Sequence, residues 1–282
     1  MPLGLRSPEN KKAPFVRHAV GLLAGLVLAG ALAACGHNYY PAKGDNKPHP
    51  GVARAHSLPI HGIDVSHHQG QIDWHAVARA GTRFAFIKAT DGGDHLDRRF
   101  HENWRAARAA GIPRGAYHFV YWCRPAHEQV AWFAQNVPVE HDALPPVLDL
   151  EWNNHSACRP NLSREEVLEK IRIMLAGMEA HTGKVPIIYT DINFHRDILE
   201  GVPLDNPMWL RSVAAQPHER YRNRPWAFWQ YTQTGTVPGV RGEVDRNVYY
   251  GNEQEWIQFF LTGCEPRNYL RLAAQGRCTA LK

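Results

Sequence analysis

From residue 60 onward, short apolar runs and amphipathic stretches take turns along the chain, and this alternation restricts the possible folds more than any other feature. Strand-like 60–66 precedes helix-like 73–80, 83–89 precedes 97–110, 115–121 precedes Ala126–Asn136, and 146–151 precedes Arg164–Thr182. The last of these helices carries the fullest set of local signals. Ser163 and Glu166 form a capping box, Val167, Ile171, Leu175 and Met178 make one apolar stripe, and Gly183 can end the helix. A fifth strand is read over 185–190, and three more follow at 208–213, 226–232 and 243–249 with less helix between them. Residues 253–261 read as a closing helix. Repeated β-α alternation predicts a parallel sheet with right-handed crossovers. Eight strands, the last three poor in helices, predict an α/β fold of the incomplete TIM-like barrel type, with a doubly wound open sheet as the alternative. In such barrels the chemistry sits at the C-terminal strand ends.

Asp149-Leu150-Glu151 stands at one of those ends, after the apolar run of residues 145–148. In a strand, residues i and i+2 share a face, which places the two carboxylates roughly 6 to 7 Å apart at Cβ. Each then influences the ionisation of the other, and such a pair is the equipment of glycoside hydrolysis. Asp64 ends the first strand and Asp245 lies in the last, so four carboxylates from three strands can converge on one mouth. Each has a plainer reading. Asp64 beside Ser66 could cap a loop, and Asp245 before Arg246 could be half of a surface ion pair.

The ends of the chain differ from its middle. Arg6, Lys11, Lys12 and Arg17 precede an apolar stretch over 19–34, which reads as a secretory signal. The stretch is short beside the roughly 20 residues a transmembrane helix needs. Leu32-Ala33-Ala34-Cys35 resembles the lipobox of bacterial lipoproteins, which implies cleavage after residue 34 and a lipid anchor on Cys35. Gly36 takes the place of the Asp that resembles an inner-membrane retention signal, so an outer-membrane anchor facing the periplasm is expected. Residues 35–58, rich in Pro, Gly, His and Lys, read as a flexible tether, 59–263 as the folded domain, and 264–282 as a tail. Leaving out 1–34 removes four basic residues and one acidic residue, which takes the formal charge from +5 to +2. A nearly balanced domain argues against a nucleic-acid partner.

Cys123, Cys158, Cys264 and Cys278 make an even set in an exported chain, and two disulfides follow. Three pairings are open; Cys123 with Cys158, both just past strand ends, and Cys264 with Cys278, tying down the tail, are favoured. No metal is expected, because the 17 histidines are scattered and no Cys-x-x-Cys spacing occurs.

Ile63-Asp64-Val65-Ser66-His67-His68-Gln69-Gly70 is followed by Ile72-Asp73-Trp74, and then, in order, by 84–90 (FAFIKAT), 115–119 (GAYHF), 148–151 (LDLE), 229–231 (WQY) and 244–247 (VDRN). These segments resemble the successive motifs of the glycoside hydrolase family 25 lysozymes, the N-acetylmuramidases, over about residues 60–260. The resemblance implies a flattened (β/α)5(β)3 barrel that acts on peptidoglycan without a cofactor; a monomer is expected. Glu151 matches the general acid. Asp149 and Asp245 match further acids of a substrate-assisted, retaining reaction, and Asp64 matches an acid on the cleft floor.

Tyr117, Tyr189 and Trp209 are the candidate sugar platforms, although such rings also serve as core packing. Gln230 could bond sugar or face the outer helices. Asp91 stands where the family motif often has Glu. The segment 152–160, with His155 and Cys158, and the tail beyond Gly263 read as additions. Two other functions compete with peptidoglycan hydrolysis: a catalytically silent wall-binding lipoprotein, and a chitinase-like hydrolase, whose longer Asp-rich strand motif is missing before Glu151.

Overall fold

The computed structural model describes residues 51–279 except 154, 155 and 159. The signal over 1–34, the lipidation site Cys35, most of the tether, and His155 lie outside the described residues. Nine strands form one sheet: β1 (His61–Val65), β2 (Phe84–Asp91), β3 (His95–Leu96), β4 (Arg114–Phe119), β5 (Val147–Leu150), β6 (Ile187–Thr190), β7 (Met208–Arg211), β8 (Phe228–Gly235) and β9 (Val244–Tyr249). A β1–β2 pairing closes eight of them into a barrel, with β3 added on the outer edge of β2. The result is the TIM-like barrel that the alternation predicts.

Two strands depart from the parallel expectation: the short β3 runs antiparallel to β2, and β9 is reversed as well. Strand β9 runs antiparallel to both β1 and β8, so the sheet is not wholly parallel. The cause is local: only residues 236–243 join β8 to β9, too few for the crossover helix that a parallel return requires.

Helix α1 (Val52–His56) precedes the barrel; α2 (Trp74–Arg79), α3 (Phe100–Ala109), α4 (Ala126–Asn136) and α5 (Arg164–Thr182) join successive parallel strands, then α6 (Ile192–Phe194) runs into a π-helical turn over His195–Leu199. Short α7 (Pro217–Arg220), α8 (Glu253–Thr262) and α9 (Pro266–Ala274) complete the set. The capping box of Ser163 with Glu166 is formed, and Gly183 closes α5 at φ 68°. One reading of the chain ends is corrected. Residues 52–56, expected as tether, are helical because Ala55 packs on Trp229, Tyr231 and Val248 of the barrel wall. The tail is helical as well: Leu272 of α9 is buried with Val185 and Cys264, beside the Cys264–Cys278 disulfide.

Period-two alternation sorts the strand residues into two cores. Ala85, Ile87, Leu148, Leu150, Ile188 and Leu210 face outward against the helices, among them Trp104, Phe133, Ile171 and Met174. Phe84, Phe86, Val147, Ile187, Trp209, Phe228 and Tyr249 fill the barrel, and Trp256 and Phe259 of α8 pack into the same cluster. Phe86 lies 4.5 Å from the Trp209 ring and 5.2 Å from Phe228, between centroids. Two glycines make room for these rings. A Cβ on Gly62 would sit 2.4 Å from the Phe84 ring, and one on Gly115 would sit 2.8 Å from the Phe86 ring.

Gly62→Ala is therefore expected to cost about 1–3 kcal/mol through overpacking. Urea unfolding followed by tryptophan fluorescence measures this. An unchanged midpoint would show that Phe84 is not seated against β1.

Candidate active site

The residues that continue the barrel's inward face toward the C-terminal strand ends change from aromatic to ionisable. Asp64, Asp149, Glu151, Asp245, Tyr117, Tyr189, Trp209 and Gln230, all the side chains expected to act or bind, line one cavity of about 350 Å³. Lys88, Phe119, Arg211 and Gln233 complete the lining.

Asp64 is the most heavily bonded of the acids. Its Oδ2 accepts from Gln230 Nε2 and from Asn247 Nδ2, each at 2.8 Å. Behind each donor stands another group: Tyr189 donates to Gln230 Oε1 at 3.0 Å, and Trp209 Nε1 donates to Asn247 Oδ1 at 2.8 Å. Asp245 is the register partner of Asp64 on the antiparallel strand, and its carboxyl also hydrogen-bonds Asp64. Burial and then the Asp64 charge push Asp245 up to about 9. Burial raises Asp64 too, while the bonds from Asn247, Gln230 and Asp245 pull it back. Asp245 therefore holds the proton of this pair at neutral pH and donates it to Asp64.

Asp149 and Glu151 occupy the neighbouring strand end. Burial pushes Asp149 far above the usual carboxylate range, and repulsion by Glu151 adds to it. Asp149 Oδ1 is buried and has no hydrogen-bond partner among the described residues. Glu151 follows the last residue of β5, and its backbone oxygen is held by the Trp122 Nε1–H at 2.7 Å. Burial raises its carboxyl to about 7, with the Asp191 charge as the next cause and Arg211 opposing. The repulsion expected within this pair is felt at Asp149, which the Glu151 charge pushes up. Asp191 caps α6, accepting from the Phe194 N–H at 2.8 Å.

The candidate platforms divide. Tyr117 is half-buried at the cavity wall, whereas Trp209 is only 2% exposed and packs against Phe86 and Tyr189. Trp209 thus acts as wall and hydrogen-bond donor rather than as an open stacking surface. Gln230 faces the cavity, with its amide committed to Asp64 and Tyr189. Asp91 ion-pairs with Lys88 at 2.7 Å and lines an adjoining hollow with His95, Tyr121 and Arg124. The Cys123–Cys158 disulfide forms one wall of that hollow.

Asn247, Asp191, Lys88 and Arg211 escaped the sequence reading as site residues. Two had a usable signal. Asn247 lies two residues beyond Asp245 and so shares its face, and Lys88 follows Phe84 and Phe86 in the same alternation. Asp191 and Arg211 sit in or beside strand ends where only the barrel's closure defines which way is inward.

Residues 63–240 match the family model described as glycosyl hydrolases family 25. The chain is 38% identical to YegX of Escherichia coli (strain K12) over 218 residues, covering 73% of this chain and 75% of that protein. It is 37% identical to Lysozyme M1 of Streptomyces globisporus over 212 residues, 71% of each. Among solved structures, a family 25 glycosyl hydrolase from Bacillus anthracis superposes with a TM-score of 0.66 at 35% identity, over 71% of this chain and 93% of that one. A bacterial lysozyme from Streptomyces coelicolor gives 0.64 at 36% identity, over 72% and 97%. The chain belongs to glycosyl hydrolases family 25 and is a glycoside hydrolase.

Proposed function

We propose that this protein is a muramidase that cleaves the β-1,4 bond between N-acetylmuramic acid and N-acetylglucosamine in peptidoglycan, with Glu151 as the general acid. The observation that carries this reading is the unequal pair on β5: a half-buried Glu151 titrating near 7, beside a buried Asp149 whose Oδ1 has no partner among the described residues. A general acid works best when its pKa lies near the operating pH. An orphaned buried acceptor invites a donor, and the N–H of a substrate acetamido group is of the right kind.

In this mechanism the Glu151 carboxyl gives its proton to the glycosidic oxygen as the C1–O bond breaks. The acetamido carbonyl oxygen attacks C1 from the opposite face, and Asp149 accepts the acetamido N–H as positive charge builds on the group. Water then attacks C1 and displaces the acetamido oxygen, so the C1–O bond of the cyclic intermediate breaks and the acetamide is restored; the Glu151 carboxylate takes the water's proton, and two inversions give net retention without a covalent enzyme intermediate. Asp64, held by Gln230, Asn247 and Asp245, supplies a fixed negative charge below the reacting sugar. The pair on β5 shares a proton near neutral pH, and the productive form carries it on Glu151. We further propose that the chain is exported and held by a lipid on Cys35 at the outer membrane, facing the periplasm. The lipobox-like run at 32–35 supports this.

Glu151→Gln is expected to lower kcat on purified peptidoglycan by about 10²–10⁴-fold, the usual worth of a general acid. Mass spectrometry should find new reducing N-acetylmuramic acid ends in the wild-type digest alone. A folded wild type that binds the wall and releases nothing would instead favour a silent binding module.

The pH profile offers a second check. Because the acid must be protonated, kcat/KM should fall as pH rises through about 7. Asp191→Asn removes a like charge while keeping a good helix cap, so Glu151 ionises more easily and this limb should move to lower pH. A limb that stays in place would exclude Asp191 as a source of the shift.

A further inference from the structure

Two cations line the catalytic cavity, and they are in different states. Lys88 is neutralised by Asp91 at 2.7 Å and lies 5.4 Å from the Phe119 ring centroid. Arg211, the last residue of β7, is half-buried, and its Nη2 donates to Gln233 Oε1 at 2.6 Å. It forms no ion pair with a carboxylate among the described residues. A guanidinium carries five N–H donors in a planar fork suited to a carboxylate. Gln233 is exposed, and one bond to it gives no structural reason to hold a guanidinium among buried acids. Arg211 lines the same cavity as Asp64, Glu151 and Asp245, and its charge favours their ionised forms.

The chemistry of the glycan says what such a group could read. Peptidoglycan strands and N-acetylglucosamine polymers share a β-1,4-linked backbone of N-acetylated sugars. They differ at O3 of alternate sugars, where muramic acid bears an ether-linked lactyl group ending in a carboxyl carbon. That end is a carboxylate when the stem peptide has been removed, and a neutral amide when the peptide is attached. Resting on the muramidase reading above, we propose that Arg211 binds the lactyl carboxylate of N-acetylmuramic acid. The cavity then selects muramyl glycans over N-acetylglucosamine polymers, and strands stripped of peptide over strands that carry it. The class of reaction that supplies its preferred substrate is hydrolysis of the amide between lactyl group and stem.

The test uses soluble glycan strands freed of stem peptides, beside the same strands with their lactyl carboxylates converted to methylamides. Turnover is followed by release of reducing ends for the wild type, Arg211→Ala and Arg211→Lys, each checked for folding by thermal melting. Arg211→Ala should raise KM on the carboxylate strands roughly 10- to 100-fold, the range of a charge-assisted hydrogen bond, with Arg211→Lys between the two. KM on the methylamide strands should not change. Equal KM values for both strands in the wild type would overturn the proposal. An equal loss on both strands in Arg211→Ala would also overturn it, and a basic limb moved to higher pH would then assign Arg211 to holding the Glu151 carboxyl down. Calorimetric binding of the two strands to Glu151→Gln and to Glu151→Gln/Arg211→Ala tests the contact without turnover. A wild type that cleaves neither strand while these two differ in binding the carboxylate strand would refute the muramidase reading and leave the Arg211 contact standing. No difference in binding would refute the contact alone.

Discussion

Burial of carboxylates above an aromatic plug is the constraint on which the rest of this structure depends. Phe84, Phe86, Phe228, Tyr249 and the α8 residues Trp256 and Phe259 fill the barrel and keep water from reaching the acids through it. With little solvent to stabilise charge, each acid favours its neutral form, and burial is the first cause of the upward shift at Asp64, Asp149, Glu151 and Asp245 alike. The site then differentiates acids that begin nearly equal. Two amide donors and the Asp245 proton favour the ionised form at Asp64, while Asp149 Oδ1 is left without a donor. Role follows from hydrogen-bond supply more than from residue type.

The reversal of β9 is part of the same arrangement. A parallel β9 would need a crossover helix and would meet β1 in a different register. Run antiparallel, it sets Asp245 opposite Asp64 and Asn247 opposite Gly62, with Gln230 beside Asn247 on the other flank. Both amides that bond Asp64 Oδ2 therefore come from the last two strands, β8 and β9. Residues 236–243 join β8 to β9 without a helix, and α1 packs Ala55 on Trp229, Tyr231 and Val248 of these two strands.

Most of the barrel was legible in the sequence because its signals are local. Helices α4 and α5 have the expected bounds, since apolar period, cap residues and breakers agree there. The four acids and both disulfides were legible for a similar reason: strand ends could be placed, and side chains counted outward from them. What escaped depends on closure. The direction of β9, the inward turn of Arg211 and the proximity of Asp191 to Glu151 follow from how non-adjacent strands meet, and no short window of residues encodes that. The helicity of 52–56 and of the tail escaped because each is stabilised by what it packs on, with weak intrinsic signals of its own. Trp209 shows the opposite error: an aromatic at a barrel mouth reads as an open platform, yet the Phe86 ring occupies the space beside it.

Raised carboxyl groups carry a cost in stability whose sign is fixed by linkage. In the unfolded chain Glu151 ionises near its ordinary 4.5, whereas in the folded protein it resists until about 7, and Asp245 until about 9. At pH values below the unfolded pKa both states are protonated and nothing is lost. As pH rises above it, the unfolded state releases protons that the folded state retains, so stability declines through these intervals. The folded state must offset that decline with interactions that do not titrate. The Cys264–Cys278 link, which ties α9 beside Val185, and the Cys123–Cys158 link, which fixes the loop after β4 to the loop after β5, are of this kind. Neither lines the cavity that holds the four acids, and both restrict the unfolded chain at any pH where they remain oxidised. The barrel can thus hold its acids in a costly protonation state because the offset lies in covalent links and packing that do not titrate.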